Sequence, residues 1–428
     1  MESTENSEFI PISIVASISK QDVINDWIKD QDLAKIIFDK APKLFVAAIY
    51  LFEKNYDVFL RKAMQNGLED KKLPMNIENC KDIHDAEFRR DVERIFIPKQ
   101  ALFFVPTLSK ESYFREEGEN TMNSFSDAWA MPIHGHSHLA SGAYSDVWKI
   151  SVHPDSDRLG SHEYYALKVY NNRQGGSRSF SRESDFFRLM KTKHNHIARP
   201  LASWKYGNRY YMIQPLADTD LSMYVAEWES ASTISTGHLC NVLRQLYGLA
   251  TALKAVHVFR TEEGVTFKLT DFGCSNVGLV DKGAGEEYRK SPQTSHPGGN
   301  PTYQAPEAHN GGMCGRPSDI WSLGALMLEV LVCLIRGPNL DEFRTKRGKE
   351  VGVDGGSVEV DDPEENDGFY YFSKEGEPRW KSAVIQEIND LRTDISKFPP
   401  PRPLKELLDA IERMLENFLK GDFLVRFE

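Results

Sequence analysis

A chain of 428 residues, 40% hydrophobic, 27% charged and 11% aromatic, has the length for two or three domains and the make-up of an ordinary globular protein. Its formal net charge of −11 argues against a nucleic-acid partner, because a phosphate backbone calls for a basic face. Five scattered cysteines (Cys80, Cys240, Cys274, Cys314 and Cys333) form no C-x-x-C pair, which argues against a disulfide framework and for a reducing, intracellular setting, cytoplasmic or nuclear.

The N-terminal stretch MESTENSEFI is polar and acidic, without the charged-then-apolar pattern of a signal peptide. Residues 20–67 predict two or three amphipathic helices, with Val23, Trp27 and Ile28, then Leu33, Ile36 and Ile37, at helical spacing. KLFVAAIYLFEKN continues as a more buried helix, residues 68–85 are turn-rich, and ALFFVPTLS predicts a short strand. Residues 1–130 hold no catalytic constellation and read as a helical accessory domain. From about 138 the pattern turns to strands. SDVWKISV and EYYALKVY predict a hairpin with a long loop, SFSRESDFFRLMKTK a helix and RYYMIQPLA a further strand.

Beyond 215 helices dominate, interrupted by a Gly/Ser/Pro-rich loop at 278–301. IWSLGALMLEVLVCLI (320–335) falls short of the roughly 20 apolar residues that cross a bilayer and contains Glu329, so it predicts a buried core helix and no membrane span. Residues 351–368 carry seven acidic side chains and no Lys or Arg, and a disordered acidic loop is expected over 349–368. Helical signal returns at SAVIQEINDLRT and PLKELLDAIERMLENFL.

Binding a nucleoside triphosphate calls for backbone N–H donors around the phosphates, a cation near them and a carboxylate for magnesium. LASGAYSDVW (139–148) places Gly142 in a strand turn. Against G-x-G-x-x-G-x-V it reads Ala140, Gly142, Ser145 and Val147, so only the central glycine is kept. YALK puts Lys168 on a strand, and Glu183 stands in the helix-like run that follows. Asp271 in KLTDFG is a candidate magnesium ligand. GNPTYQAPE (299–307) and SDIWSLG (318–324) come next in order. HGHSH (134–138) reads as solvated histidines on a polar entry loop in preference to a metal site.

In this order the landmarks resemble the eukaryotic-type Ser/Thr protein kinase family over about 138–428. The N-terminal part is more loosely similar to the extension of kinase-domain proteins common in filamentous fungi. The resemblance implies an α+β, two-lobed fold with ATP in the cleft: a small β-rich lobe over 138–216 and a large helical lobe over 217–428, preceded by an α-helical domain over 1–130. It implies ATP and Mg2+ as cofactors and a protein substrate or scaffold partner. Lys168 would contact the phosphates and Glu183 would orient it, as the catalytic pair. Ala140 and Gly142 would belong to the turn over the phosphates. Leu139, Val147 and Ala166 would cover the adenine, Ile213 would be the gatekeeper, Gln214 and Leu216 would form the hinge, and Asp271 would hold the metal.

One part of the family pattern is missing. The loop H-R-D-x-x-x-x-N should precede D-F-G, but here a helix-like run closes at His257, VFRTEEG follows, and VTFKLT leads into Asp271. No Asp followed five residues later by Asn stands in that link, and Glu262 and Glu263 read as solvated turn carboxylates. The residue that orients the attacking hydroxyl, the second metal ligand and the apolar adenine floor go together. Positioning and charge neutralisation supply nearly all of phosphoryl-transfer catalysis, so a Ser/Thr phosphotransferase by resemblance is expected to be inactive as written. The alternative is a non-catalytic pseudokinase scaffold or signalling adaptor. Asp319, whose family counterpart bonds the absent loop, is expected to be a buried unpaired charge. Asn300 stands where family members usually have Thr. Ser275, Thr294 and Ser295 are not favoured as phosphorylation sites, because the receiving arginine belongs to the absent loop.

Overall fold

The computed structural model describes residues 8–110, 124–125, 129–160, 162–171, 175–189, 194–228, 235–252, 256–261, 264–271, 301–311, 316–349, 367–374, 376–397 and 401–419. The Gly/Ser/Pro-rich loop and the acidic run lie almost wholly outside these residues. The chain divides into one unit of Met1–Ser184 with Arg199–Leu216 and another of Asp185–Ala198 with Ala217–Glu428.

The first unit begins with helices α1 (Ile12–Ile18), α2 (Gln21–Trp27), α3 (Gln31–Lys40), α4 (Pro42–Phe52) and α5 (Tyr56–Gln65), followed by the short α6 (Ile77–Cys80), α7 (Ala86–Asp91) and α8 (Ile97–Lys99). The expected two or three helices over 20–67 are four. The Asp30 carboxylate accepts from the Leu33 N–H to start α3, Pro42 opens α4, and Glu53 at positive φ (43°) closes it. The buried stripe keeps part of the expected one: Ile28, Leu33 and Ile37 hold their places, and Ile24 joins them. Trp27 and Ile36, by contrast, are exposed. Trp27 instead stands edge-on to Tyr56, whose hydroxyl donates to the Trp27 carbonyl at 2.8 Å. ALFFVPTLS yields a 3₁₀ turn at Gln100–Phe103 and only two residues of strand, β1 (Leu108–Ser109).

A sheet follows, from β2 (Ser124–Phe125), β3 (Ile133–Ser141), β4 (Ser145–Val152), β6 (Tyr165–Tyr170), β7 (Ala202–Tyr206) and β8 (Arg209–Pro215); the two-residue β5 (Asp157–Arg158) pairs with β1. The order is β2-β7-β8-β6-β4-β3, five antiparallel strands with β2 added in parallel. SDVWKISV and YALKVY pair as the expected hairpin, Ser145 opposite Tyr170 through Ile150 opposite Tyr165. Ile150, Tyr165, Leu167, Trp204, Tyr211 and Ile213 form a buried cluster on one face. Helix α9 (Gly176–Leu189) leaves the sheet after β6.

The second unit contains β9 (Thr219–Asp220), α10 (Leu221–Ala226), α11 (Thr236–Ala250), β10 (Val256–Thr261) and β11 (Gly264–Leu269). It continues with α12 (Arg316–Arg336), α13 (Asp341–Lys349), the hairpin β12 (Tyr370–Phe372) and β13 (Pro378–Trp380), α14 (Ser382–Ser396) and α15 (Pro401–Leu419). Helix α12 is long and apolar enough to cross a membrane, but 78% of its apolar stretch is buried in this unit. Trp321, Ala325, Leu328, Leu331 and Cys333 are fully covered, and burial pushes the Cys333 thiol up to about 12.

Glu329 in the middle of α12 is the polar centre of that core. The fully buried Arg347 reaches its Oε1 at 2.6 Å, and Arg344 and the Tyr303 hydroxyl reach its Oε2 at 2.7 Å each. The Arg347 guanidinium lies between the rings of Phe343 and Phe369, 4.3 and 4.2 Å from their centroids. Burial alone would raise the Glu329 carboxyl, but the two guanidinium groups outweigh it and hold it below the usual carboxylate range. Replacing Glu329 by Ala takes the nearest carboxylate from the buried Arg347, which is left with the Asp367 carbonyl at 2.8 Å and the Asp367 carboxylate at 3.4 Å, and should cost about 3 kcal/mol in denaturant unfolding.

A second constraint sits on α11. A Cβ on Gly248 would lie 2.1 Å from His196 Nε2 and 2.2 Å from its Cε1. The ring cannot swing aside without leaving the Phe267 carbonyl, 2.9 Å from its Nδ1. Gly→Ala inside a helix ordinarily gains about 1 kcal/mol. Gly248→Ala should instead lose about 1–3 kcal/mol by overpacking, read from the same denaturation midpoints.

Candidate functional site

Side chains alternate along a strand, so Ala166, Lys168 and Tyr170 share one face of β6, and Leu167 and Val169 share the other. Directly opposed residues of antiparallel strands project to the same side. Val147 is opposite both Ala140 and Lys168, Lys168 is opposite Met212, and Ala166 is opposite Gln214. The register therefore brings Ala140, Val147, Ala166, Lys168, Met212 and Gln214 to one face. Ile213 does not join them. Expected as the gatekeeper, it is fully buried in the cluster with Leu167, on the opposite face from Lys168.

Helix α9 meets the Lys168 face through Phe180 and, one turn later, Glu183. Phe180 is buried edge-on to Tyr170 and stacked on Tyr210, at centroid separations of 5.1 and 4.6 Å. Lys168 Nζ then lies 2.8 Å from Glu183 Oε2, with Glu183 fully buried and Lys168 nearly so. The Tyr170 hydroxyl donates to the same oxygen at 2.5 Å, and Lys168 Nζ stands 5.3 Å from the Tyr170 ring centroid. Glu183 Oε1 is buried and has no hydrogen-bond partner. A carboxylate at zero exposure holds its charge only with donors of this kind.

The turn between β3 and β4 is closed by Gly142 N–H donating to the Ser145 carbonyl at 2.8 Å. Asn171 N–H donates to the Tyr144 carbonyl at 2.9 Å and ties the turn to the end of β6. Ala140 and Gly142 are exposed, Leu139 is 47% exposed at a β-bulge, and Leu216 is half-buried just past β8. In the second unit Asp271 follows β11, exposed, with φ at +63°. That conformation is unfavourable for a residue with a Cβ, less so for Asp than for Ala, and such residues concentrate at functional positions.

Residues 133–335 match the family model of the protein kinase domain. A Caenorhabditis elegans protein assigned by name to the serine/threonine-protein kinases is 24% identical over 211 residues, 47% of this chain. The chain covers 45% of that relative, about half its length. Residues 133–335 are a eukaryotic-type protein kinase domain.

The kinase domain starts at β3 and the match ends with α12, so helices α1–α8 and α13–α15 lie outside it. Its Lys168–Glu183 pair is formed. The segment where the family's catalytic loop belongs differs from the expected extended link. Helix α11 ends at Ala250, and His257 is not at a helix end but inside β10. β10 pairs with β11 from Val256 opposite Leu269 to Thr261 opposite Gly264, and β9 pairs along its other side. Only residues 262 and 263 separate the last pair. Both are Glu and lie outside the described residues, as do Asn300, Ser275, Thr294 and Ser295.

Asp319 also departs from expectation. It is half-buried and has a polar partner, so no unpaired buried charge awaits the absent loop. Residues 301–311 are fastened to α12 without it: Ser318 Oγ donates to Glu307 at 2.7 Å and Ser322 Oγ to the Tyr303 carbonyl at 2.8 Å. His136 and His138 on the HGHSH strand pair with Ser151 and Ser141, and no group of three potential metal ligands occurs among the described residues.

Tyr170 and Met212 are the residues that sequence reasoning missed. The signal for Tyr170 was its spacing two residues beyond Lys168 on a strand, which puts its hydroxyl on the lysine's side. Asp271 offers a direct test of backbone strain. Asp271→Gly and Asp271→Ala lose the same carboxylate, but only Ala keeps the left-handed penalty. The Ala variant should be less stable than the Gly variant by about 1–2 kcal/mol in parallel denaturant melts.

Proposed function

We propose that this kinase domain transfers no phosphate and serves as a non-catalytic kinase-fold module, a scaffold or signalling adaptor of the Ser/Thr kinase type. The observation that carries the reading is the β10–β11 hairpin. Its closure over residues 262 and 263 leaves no chain in which an Asp and an Asn five residues apart could stand. Protein kinase domains bind ATP with Mg2+, which neutralises the phosphates as the γ-phosphoryl group leaves. The residues here fit that pair in part. Lys168, held by Glu183, would meet the phosphates, Val147 and Ala166 would meet the adenine with Gln214 in the gatekeeper place, and Asp271 would take the metal. No catalytic-loop Asn stands ahead of Asp271 to hold a second ion, and the apolar residue that would come after such an Asn to floor the adenine is missing with it. Weak nucleotide binding is part of the proposal, as is an intracellular setting, which free Cys80, Cys240 and Cys333 support.

One observation favours a second reading. The Lys168–Glu183 pair is a feature an active kinase requires, and it would persist if a coding segment across the hairpin had been lost recently. Transcript and genomic sequence across codons 257–265 separates the two readings. A continuous frame supports the first, and an in-frame H-x-D-x-K-x-x-N segment establishes the second.

The activity test is direct. The chain as given should transfer no labelled phosphate from ATP to generic Ser/Thr substrates above a Lys168→Met control. A ligand at a hundred times its dissociation constant adds about 2.7 kcal/mol of stability. Millimolar ATP-Mg should produce a thermal shift well short of that.

A further inference from the structure

We infer that Tyr170 is a positioning residue that fixes Glu183, and with it helix α9, on the sheet without any nucleotide; this deepens the non-catalytic reading above. Three observations carry it. The Tyr170 hydroxyl donates at 2.5 Å to Glu183 Oε2, the oxygen that also meets Lys168 Nζ at 2.8 Å. All three side chains are buried, where a hydrogen bond to a charged acceptor is worth most. The Tyr170 ring is packed edge-on to Phe180 and lies beside the lysine ammonium, so the hydroxyl is held in place by the same helix that it secures.

A lone lysine on a flexible stem holds a carboxylate loosely and is free to turn to another anion. A phenol on a rigid ring, fixed at both Cα and ring, is not. With Tyr170 sharing Oε2, Glu183 stays docked whether or not Lys168 is engaged elsewhere. Helix α9 is then set by the fold itself and independent of ligand. This suits a module that presents a constant surface.

Amide hydrogen exchange on the full chain tests this. In the unaltered protein α9 should be equally protected with and without ATP-Mg. Tyr170→Phe, which removes only the hydroxyl, should speed exchange in residues 176–187 by about tenfold, the effect of one lost bond to a charged group, while β7 and β8 stay unchanged. In a Glu183→Leu background, where the acceptor is gone, the same change should cost nothing. A tyrosine that merely fills space would cost the same in both backgrounds, and that result would overturn the inference. So would unchanged α9 protection in Tyr170→Phe, or α9 protection that rises on adding ATP-Mg. If Glu183→Leu does not fold, Glu183→Gln keeps the shape without the charge, and the Tyr170→Phe effect should shrink there too; an undiminished effect would count against it. Phosphate transfer by the unaltered chain with these exchange results intact would sink the non-catalytic reading alone.

Discussion

A carboxylate with no exposure to water governs the first unit. Glu183 would be prohibitively unstable in charged form were it not met by Lys168 and Tyr170, and both donors come from β6 at alternate positions. The register of β6 between β4 and β8 therefore sets where α9 can sit. A slip of one residue would turn Lys168 and Tyr170 to the opposite face and put Leu167 and Val169 in their place. The apolar cluster of Leu167, Trp204, Tyr211 and Ile213 forbids that slip from the other side of the sheet. Hydrophobic burial on one face thus fixes the polar geometry on the other.

The second unit solves the same problem with different parts. Glu329 is buried in an apolar helix and is met by two arginines and a tyrosine hydroxyl. Arg347 is itself enclosed by two aromatic rings, and Lys381 donates to its carbonyl at 2.7 Å. The cluster ties α12, α13 and the 301–311 segment together through one side chain. A buried ion pair of this kind is costly to assemble and costlier to break, so it specifies the packing more than it stabilises it.

The functional reading turns on a short connection. Where two antiparallel strands pair up to a two-residue link, the backbone N–H and C=O groups are already committed to the ladder. The first strand, β10, is further engaged along its other edge by β9. Residues 262 and 263 alone separate the paired strands, and neither is an Asp or an Asn. The kinase domain has Lys168 paired with Glu183 and Asp271 at positive φ, and no H-R-D-x-x-x-x-N segment stands between α11 and Asp271 in the sequence.

The sequence by itself determined the α+β class, the order of β4, β6, α9 and β8, and the partnership of Lys168 with Glu183. These rest on period-two and period-3.6 patterns and on residues whose spacing matches a known family, both of which are local. It made Ile213 the gatekeeper, set Trp27 and Ile36 on the apolar stripe of their helices and left Asp319 without a partner. Each error has one physical source. Which face a strand residue takes depends on the register of the neighbouring strand, and which edge of a helix is buried depends on what packs against it. Whether a carboxylate finds a donor depends on residues far away in the chain. Tyr170 reaching Glu183 and Arg347 reaching Glu329 are contacts of that sort. They exist only once distant segments fold together, so only the tertiary structure could decide them.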